Sequence, residues 1–283
     1  MKETKTKILK SLVAEGMKMR YGDKPARQVK LRILWELKHI IDAGFEDYYL
    51  MAFTLFRHNA ASAGINYWAR GAVPSSVICY CLGLTEIDPI KYGLHSVRFV
   101  NDEPPKFQFD IEASRYDEFM KMAEEVLQAS TEDYNIQAIR ERMLQCLKNI
   151  TPMEYLSRKR ERPLPDNLDD ELARYALSFP DTREMYYAYV QNSQSDFIYQ
   201  EQMLDILRQT FHVSSIKANQ IRLSIQRGEA EQVEAYKQEL FTDLKGLTLE
   251  KAEWLWQRLT SNPRAFLKSH AVSHVLAQHH YEF

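Results

Sequence analysis

The sequence predicts an α+β protein that is mostly helical. Three observations carry that expectation. Apolar residues recur three or four positions apart along most of the chain, beginning with Ile8, Leu9, Leu12, Val13 and Met17. Turn formers separate these runs, at Tyr21–Pro25, Gly44, Gly64 and Gly228. One short stretch, Phe107 to Glu112, alternates strictly and so carries the period of a strand.

Residues 5–20 read as the first helix and residues 26–43 as the second, with Val29, Ile33, Leu37, Ile40 and Ile41 on one face. Phe45 to Ala63 reads as an aromatic-rich third helix. After Tyr67 comes a loop, Ala69-Arg70-Gly71-Ala72. Pro74 stands where a helix can begin, with Ser75 to Leu82 as its buried first turns. Asp88-Pro89 marks a turn. Helices are expected over Tyr116 to Gln128 and Ile139 to Leu147, with a polar connector at 129–137 between them. Pro152 to Pro165 is basic and interrupted. Shorter helices follow at Leu172 to Leu177 and Glu184 to Val190. A segment from Ser195, a pair of helices divided at Gly228, and a helix over Leu249 to Leu259 complete the chain up to Phe266 and a histidine-bearing tail. There is no internal repeat and no low-complexity segment.

The chain has 283 residues, room for one large or two ordinary domains. Hydrophobic residues make up 45% and charged residues 27%, as in soluble globular proteins. No apolar run is long enough for a bilayer, and the lysine-rich start has no apolar signal core. Cys79, Cys81 and Cys146 are too few for a disulfide framework or a zinc site, so a reducing, cytoplasmic setting without membrane contact is expected. Net charge is −2, but residues 1–38 carry eight Lys and three Arg against four acids. A second basic knot is Arg158-Lys159-Arg160 with Arg162. Such clusters either neutralise nucleic-acid phosphates or form solvated helix faces. No phosphate loop, nucleophile elbow or dinucleotide fingerprint is present.

The alternating stretch is where chemistry concentrates. Phe107, Phe109 and Ile111 share one face, and Gln108, Asp110 and Glu112 the other. Two carboxylates on one strand face suit hard divalent cations and phosphoryl transfer. The plainer reading is an amphipathic strand with a solvated polar face. His270 and His274 are four apart, a spacing that shares a helix face, but no carboxylate or cysteine completes a metal site there. Trp254 and Trp256 can stack on bases or pack in a helical core, and core packing is expected for at least one.

The motifs, taken in order, resemble the catalytic core of bacterial C-family DNA polymerases, the DNA polymerase III alpha subunit. They are Arg20-Tyr21-Gly22, Trp35-Glu36-Leu37, Gly44-Phe45-Glu46-Asp47-Tyr48-Tyr49-Leu50-Met51, Arg70-Gly71, Tyr80-Cys81-Leu82-Gly83-Leu84-Thr85, Val97-Arg98-Phe99-Val100-Asn101 and Phe109-Asp110-Ile111-Glu112. Tyr199-Gln200-Glu201-Gln202 and Leu267-Lys268-Ser269-His270-Ala271 continue the series. The resemblance implies a polymerase-beta-like nucleotidyltransferase palm over residues 1–135 and a helical fingers or palm-completing region over 136–283. It implies that Arg70, Gly71, Arg98, Lys268, Ser269 and His270 bind the incoming nucleotide. Asp110 and Glu112 would be the catalytic Mg2+ ligands, and Arg158, Lys159 and Arg160 would meet DNA.

The departures imply a truncated, degenerate core. Ala72 replaces a serine of the family loop and Ser75 a glycine. The aspartate strand aligns in two registers, one placing Gln108 and Asp110 at the metal positions, the other Asp110 and Glu112. Glutamine holds Mg2+ poorly, and the extra methylene of Glu112 displaces its carboxylate by about 1.5 Å. The stretch that carries a third family carboxylate has no counterpart. The resemblance leads to the expectation that the family's phosphoesterase, clamp-binding and accessory nucleic-acid-binding domains are absent too. The expectation is therefore an impaired polymerase-like protein that retains primer–template DNA or dNTP binding. The rivals are an active minimal polymerase and a module binding replication or mobile-element proteins without nucleic acid.

Overall fold

The computed structural model describes residues 2–129, 141, 144, 147, 149–157, 167–182, 197–244, 246–261 and 263–281. Its residues cluster into two units, Met1–Leu164 with Val272–Phe283, and Pro165–Ala271. Helix dominates, and a small three-stranded sheet makes the class α+β.

The first unit opens with α1 (Lys2–Tyr21) and α2 (Arg27–Asp42). Leu9 and Val13 of α1, and Val29, Ile33 and Ile40 of α2, are buried, as their spacing requires. The third helix differs from expectation. It begins as α3 (Glu46–Ala52) and widens into a π-helix over Phe53–Ala60, where Thr54 Oγ1 donates back to Leu50 O at 3.0 Å. Next come β1 (Tyr67–Ala69), a 3₁₀ turn at Val73–Ser75 and α4 (Val77–Cys81). Then follow β2 (Phe109–Glu112), α5 (Tyr116–Ala129) and β3 (Ile150–Met153). Gly16 allows α1 to lie on the end of α4. A Cβ there would stand 1.8 Å from Cys81 O, which no side chain tolerates.

β2 is the central strand. It pairs antiparallel with β1, placing Trp68 opposite Asp110, and parallel with β3, placing Thr151 opposite Asp110. Phe107, Phe109 and Ile111 are each at most 1% exposed. Phe109 stacks on Phe56 at 3.8 Å between centroids, and Phe56 meets Phe119 of α5 at 5.3 Å. The alternation thus sets the core face as predicted. The strand is shorter than the alternating run because the ladder ends where Gly71 turns away with φ +63. β1 and β3 escape sequence reading because they are three and four residues long, and β3 contains Pro152.

The second unit contains α6 (Leu168–Leu177), α7 (Gln200–Thr210), α8 (Ser215–Arg227), α9 (Ala230–Thr242) and α10 (Leu249–Thr260). Helix α11 (Lys268–His280) begins in this unit and its later turns belong to the first. Ser214 and Thr248 cap α8 and α10 by accepting backbone N–H groups of Lys217 and Lys251. Gly228 closes α8 in the left-handed conformation. Leu204, Leu207, Ile221, Trp256 and Leu259 are buried in this unit. The expected helix at 184–190 and the basic knot at Arg158, Lys159 and Arg160 lie outside the described residues. So do most of the helix expected at 139–147 and all of the 129–137 connector except Ala129, which ends α5.

Candidate active site and nucleotide-binding elements

The site is built on the face of β2 opposite the phenylalanines. Asp110 projects there and is only 6% exposed. Both its oxygens have partners. Arg70 Nε lies 2.9 Å from Oδ1, an ion pair in which the N–H is not aimed at the oxygen. The Tyr155 hydroxyl donates to Oδ2 at 2.9 Å. Burial raises the Asp110 carboxyl above the usual carboxylate range, with the Arg70 charge and the Tyr155 hydroxyl pulling the other way. Burial likewise pushes the Tyr155 phenol well up, so it stays a donor.

Arg70 reaches Asp110 because β1 delivers it to the sheet edge. Its backbone N–H donates to Gln108 O at 3.0 Å. Its Nη2 donates to Asn149 O at 3.0 Å and to Thr151 Oγ1 at 2.9 Å, so the guanidinium spans from β2 to β3. Gly71 then turns tightly over Gln108. A Cβ on Gly71 would stand 1.9 Å from Gln108 Oε1.

An aromatic layer covers this face. Trp68 Nε1 donates to Ser273 O and Oγ, both at 3.0 Å, and Ser273 Oγ donates to Ala69 O at 2.6 Å. Tyr281 packs edge-on against Trp68 and Tyr155, at 5.7 and 5.6 Å between centroids. Asp110 therefore sits under side chains instead of opening to solvent. A pocket of about 490 Å³ flanks β1, lined by Asn66, Trp68, Glu86 and Tyr281 among others, but neither Arg70 nor Asp110 lines it.

Glu112 lies two residues along, about 7 Å by strand geometry. It accepts from Asn66 Nδ2 and Ser114 Oγ, both at 2.9 Å. Gln108 is neutral and contributes no charge. Among the described residues no group of three or more His, Cys, Asp or Glu is placed to hold a metal ion. A divalent cation at Asp110 would sit beside the Arg70 guanidinium. In this arrangement the donor set does not fit a two-metal centre.

The loop beyond Gly71 is held by a residue that sequence reasoning saw only as part of a motif. Glu36 is fully buried, and its carboxylate accepts from Arg32 Nε at 2.7 Å and Ser76 Oγ at 2.7 Å. It also accepts from the backbone N–H groups of Val77 and Ile78, both at 3.2 Å, so it caps α4. Arg32 Nη2 donates to Ser75 O at 2.7 Å and Leu94 O at 3.0 Å. These bonds draw the Val73–Ser75 turn against the 3₁₀ turn Ser96–Arg98, which carries the half-buried Arg98. A glutamate in register with Val29, Ile33 and Ile40 was the available signal, because an acid on an apolar stripe needs a buried partner.

Lys268, Ser269 and His270 belong to the second unit, in the first turn of α11. Lys268 N–H donates to Glu201 Oε2 at 3.0 Å, and Ser269 is fully buried. His270 Nε2 lies 3.5 Å from the Tyr175 hydroxyl. The Tyr199–Gln202 motif is architectural here. Gln200 N–H donates to Phe266 O at 2.9 Å and Gln200 Nε2 to Ala265 O at 2.7 Å, which pins the segment leading into α11. Trp256 is buried, whereas Trp254 is 43% exposed with Arg258 stacked on it at 4.5 Å.

The fold and site define an α+β protein whose central strand carries a buried acid, paired with an arginine from the loop beside it. Residues 7–155 match the family described as the bacterial DNA polymerase III alpha NTPase domain, and the chain belongs to that family. The chain is 36% identical over 117 residues to the error-prone DNA polymerase of Anaeromyxobacter sp. (strain K), covering 40% of this chain and 10% of that protein. It is 37% identical over 122 residues to error-prone DNA polymerase 1 of Rhizobium meliloti (strain 1021), covering 42% and 11%. With the error-prone DNA polymerase of Bdellovibrio bacteriovorus the identity is 36% over 135 residues, covering 47% and 12%. The chain thus spans about a tenth of the length of these relatives. The family match includes Arg70, Gly71, Arg98, Asp110 and Glu112 and stops short of Lys268, Ser269 and His270. Among the described residues no helix is long and apolar enough to cross a membrane.

Proposed function

We propose that this protein is a DNA polymerase III alpha-like binder of primer–template DNA or nucleotide in which nucleotidyl transfer is impaired. Residues 1–135 correspond to a polymerase-beta-like palm, and residues 136–283 to a helical fingers or palm-completing region. Arg70, Gly71 and Arg98 are the nucleotide-binding residues of this reading in the first unit, and Lys268, Ser269 and His270 are those it names in the second. Arg158, Lys159 and Arg160 face the DNA backbone. The single observation that carries the impairment is the engagement of both Asp110 oxygens by Arg70 and Tyr155 beneath the Trp68–Tyr281 layer. Mg2+ is the cation that the family reading calls for, with Asp110 and Glu112 as the residues to hold it. Their oxygens already pair with Arg70 and Tyr155, and with Asn66 and Ser114, which opposes capture of an octahedral ion.

The test is fluorescence anisotropy of a labelled primer–template, titrated with protein at several salt concentrations, with and without Mg2+ and the matching nucleotide. The expected outcome is binding that weakens steeply with salt, because released counterions drive phosphate contacts. No primer extension is expected. Extension that Asp110→Asn abolishes would refute the impairment. Absence of binding at low salt would refute the nucleic-acid reading and leave protein partners of a replication system.

A further inference from the structure

We propose that the Arg70 guanidinium is the resident cation of Asp110, so that this chain neutralises its central-strand carboxylate from within rather than with a divalent metal. Arg70 Nε stands 2.9 Å from Oδ1, and the other carboxylate oxygen takes the Tyr155 hydroxyl at 2.9 Å. The guanidinium is anchored independently of Asp110, through Asn149 O and Thr151 Oγ1 on the parallel neighbour strand. Its position is therefore set by the sheet, not only by attraction to the acid. A planar cation with fixed donors already satisfies the charge that a metal would otherwise neutralise. A divalent ion entering there would meet like charge within a few ångströms, under a face closed by Trp68 and Tyr281.

The inference rests on the polymerase-like reading only in taking Asp110 as the seat where a cation belongs. Its test uses no nucleic acid. Mn2+ is titrated into the full chain, and free Mn2+ is read by electron paramagnetic resonance. The natural protein should show no Mn2+ site that Asp110→Asn removes. Arg70→Gln should bind Mn2+ at least tenfold more tightly than the natural chain, and adding Asp110→Asn to it should abolish the gain. Arg70→Lys, which keeps the charge, should behave like the natural chain. Asp110-dependent Mn2+ binding by the natural protein would overturn the proposal. So would no gain in a folded Arg70→Gln chain, or an equal gain in Arg70→Lys. If Arg70→Gln fails to fold, the natural chain against Asp110→Asn still decides: lost Mn2+ binding overturns the proposal and unchanged binding supports it. Failure of DNA binding in anisotropy would leave this result standing, and the reverse also holds.

Discussion

Replacing Arg70 by glutamine should loosen the central strand, and more so at neutral pH than in acid. The side chain of Arg70 is 27% exposed and that of Asp110 9%, so the pair is partly shielded from water. Unit charges about 4 Å apart at an effective dielectric of about 20 interact by about 4 kcal/mol. Solvent access to Arg70 and relaxation of the site reduce this to about 2 kcal/mol, below the range for fully buried pairs. That loss corresponds to a roughly 30-fold rise in the opening equilibrium of the strand. The pH dependence has a definite sign. Burial already raises the folded-state Asp110 carboxyl above its ordinary value, so protonation favours the folded state. The contribution of this group is fully present below the ordinary carboxylate range and is lost as pH rises through the folded-state value. Removing Arg70 takes away the largest opposing influence, raises the folded-state value further and extends that loss upward in pH. Hydrogen exchange of a peptide spanning residues 107–113, corrected for intrinsic rates, reads the effect at pH 4.5 and 7.5. The variant should lose its protection mainly at pH 7.5. Unchanged protection at pH 7.5, or an equal loss at both pH values, would refute the reasoning.

Tyr155→Phe should raise the Asp110 carboxyl further, since the hydroxyl stabilises the anion, and carbon-13 titration of that carboxyl would read the shift. Glu36→Ala strands Arg32, Ser76 and two backbone N–H groups and should cost about 3–5 kcal/mol in denaturant unfolding. A cost under 1 kcal/mol would mean that the α4 cap is not organised as described. Gly16→Ala forces α1 off Cys81 O and should destabilise by at least about 1–3 kcal/mol, as overpacking does. Gly228→Ala, with nothing near its added Cβ, meets only the left-handed backbone cost of about 1–2 kcal/mol. Thermal melts of the two variants should therefore rank Gly16→Ala as the less stable. Trp256→Ala should cost about 3–5 kcal/mol, whereas Trp254→Ala, from an exposed position, should cost under about 1 kcal/mol.

Much of this protein follows from local sequence, because helix and strand periods are local. The face of α2 carrying Val29, Ile33 and Ile40 and the buried side of β2 were both legible, since each repeats within a few residues. The order of short motifs was enough to place the chain in the polymerase III alpha family, and residues 7–155 match its model. What Asp110 touches was not legible. Trp68 and Ser273 are 205 positions apart, and Tyr155 and Asp110 are 45 apart. No period links such residues. β1 and β3 are too short to announce themselves, yet they bring Arg70 and Thr151 to the two sides of Asp110. The sequence alone determined which residue types face the site and which face the core. Only the tertiary structure decided that the acid on β2 meets an arginine and a phenol under an aromatic layer. Charge pairing depends on distance through space, and that distance is set by the packing of strands and helices far apart in the chain.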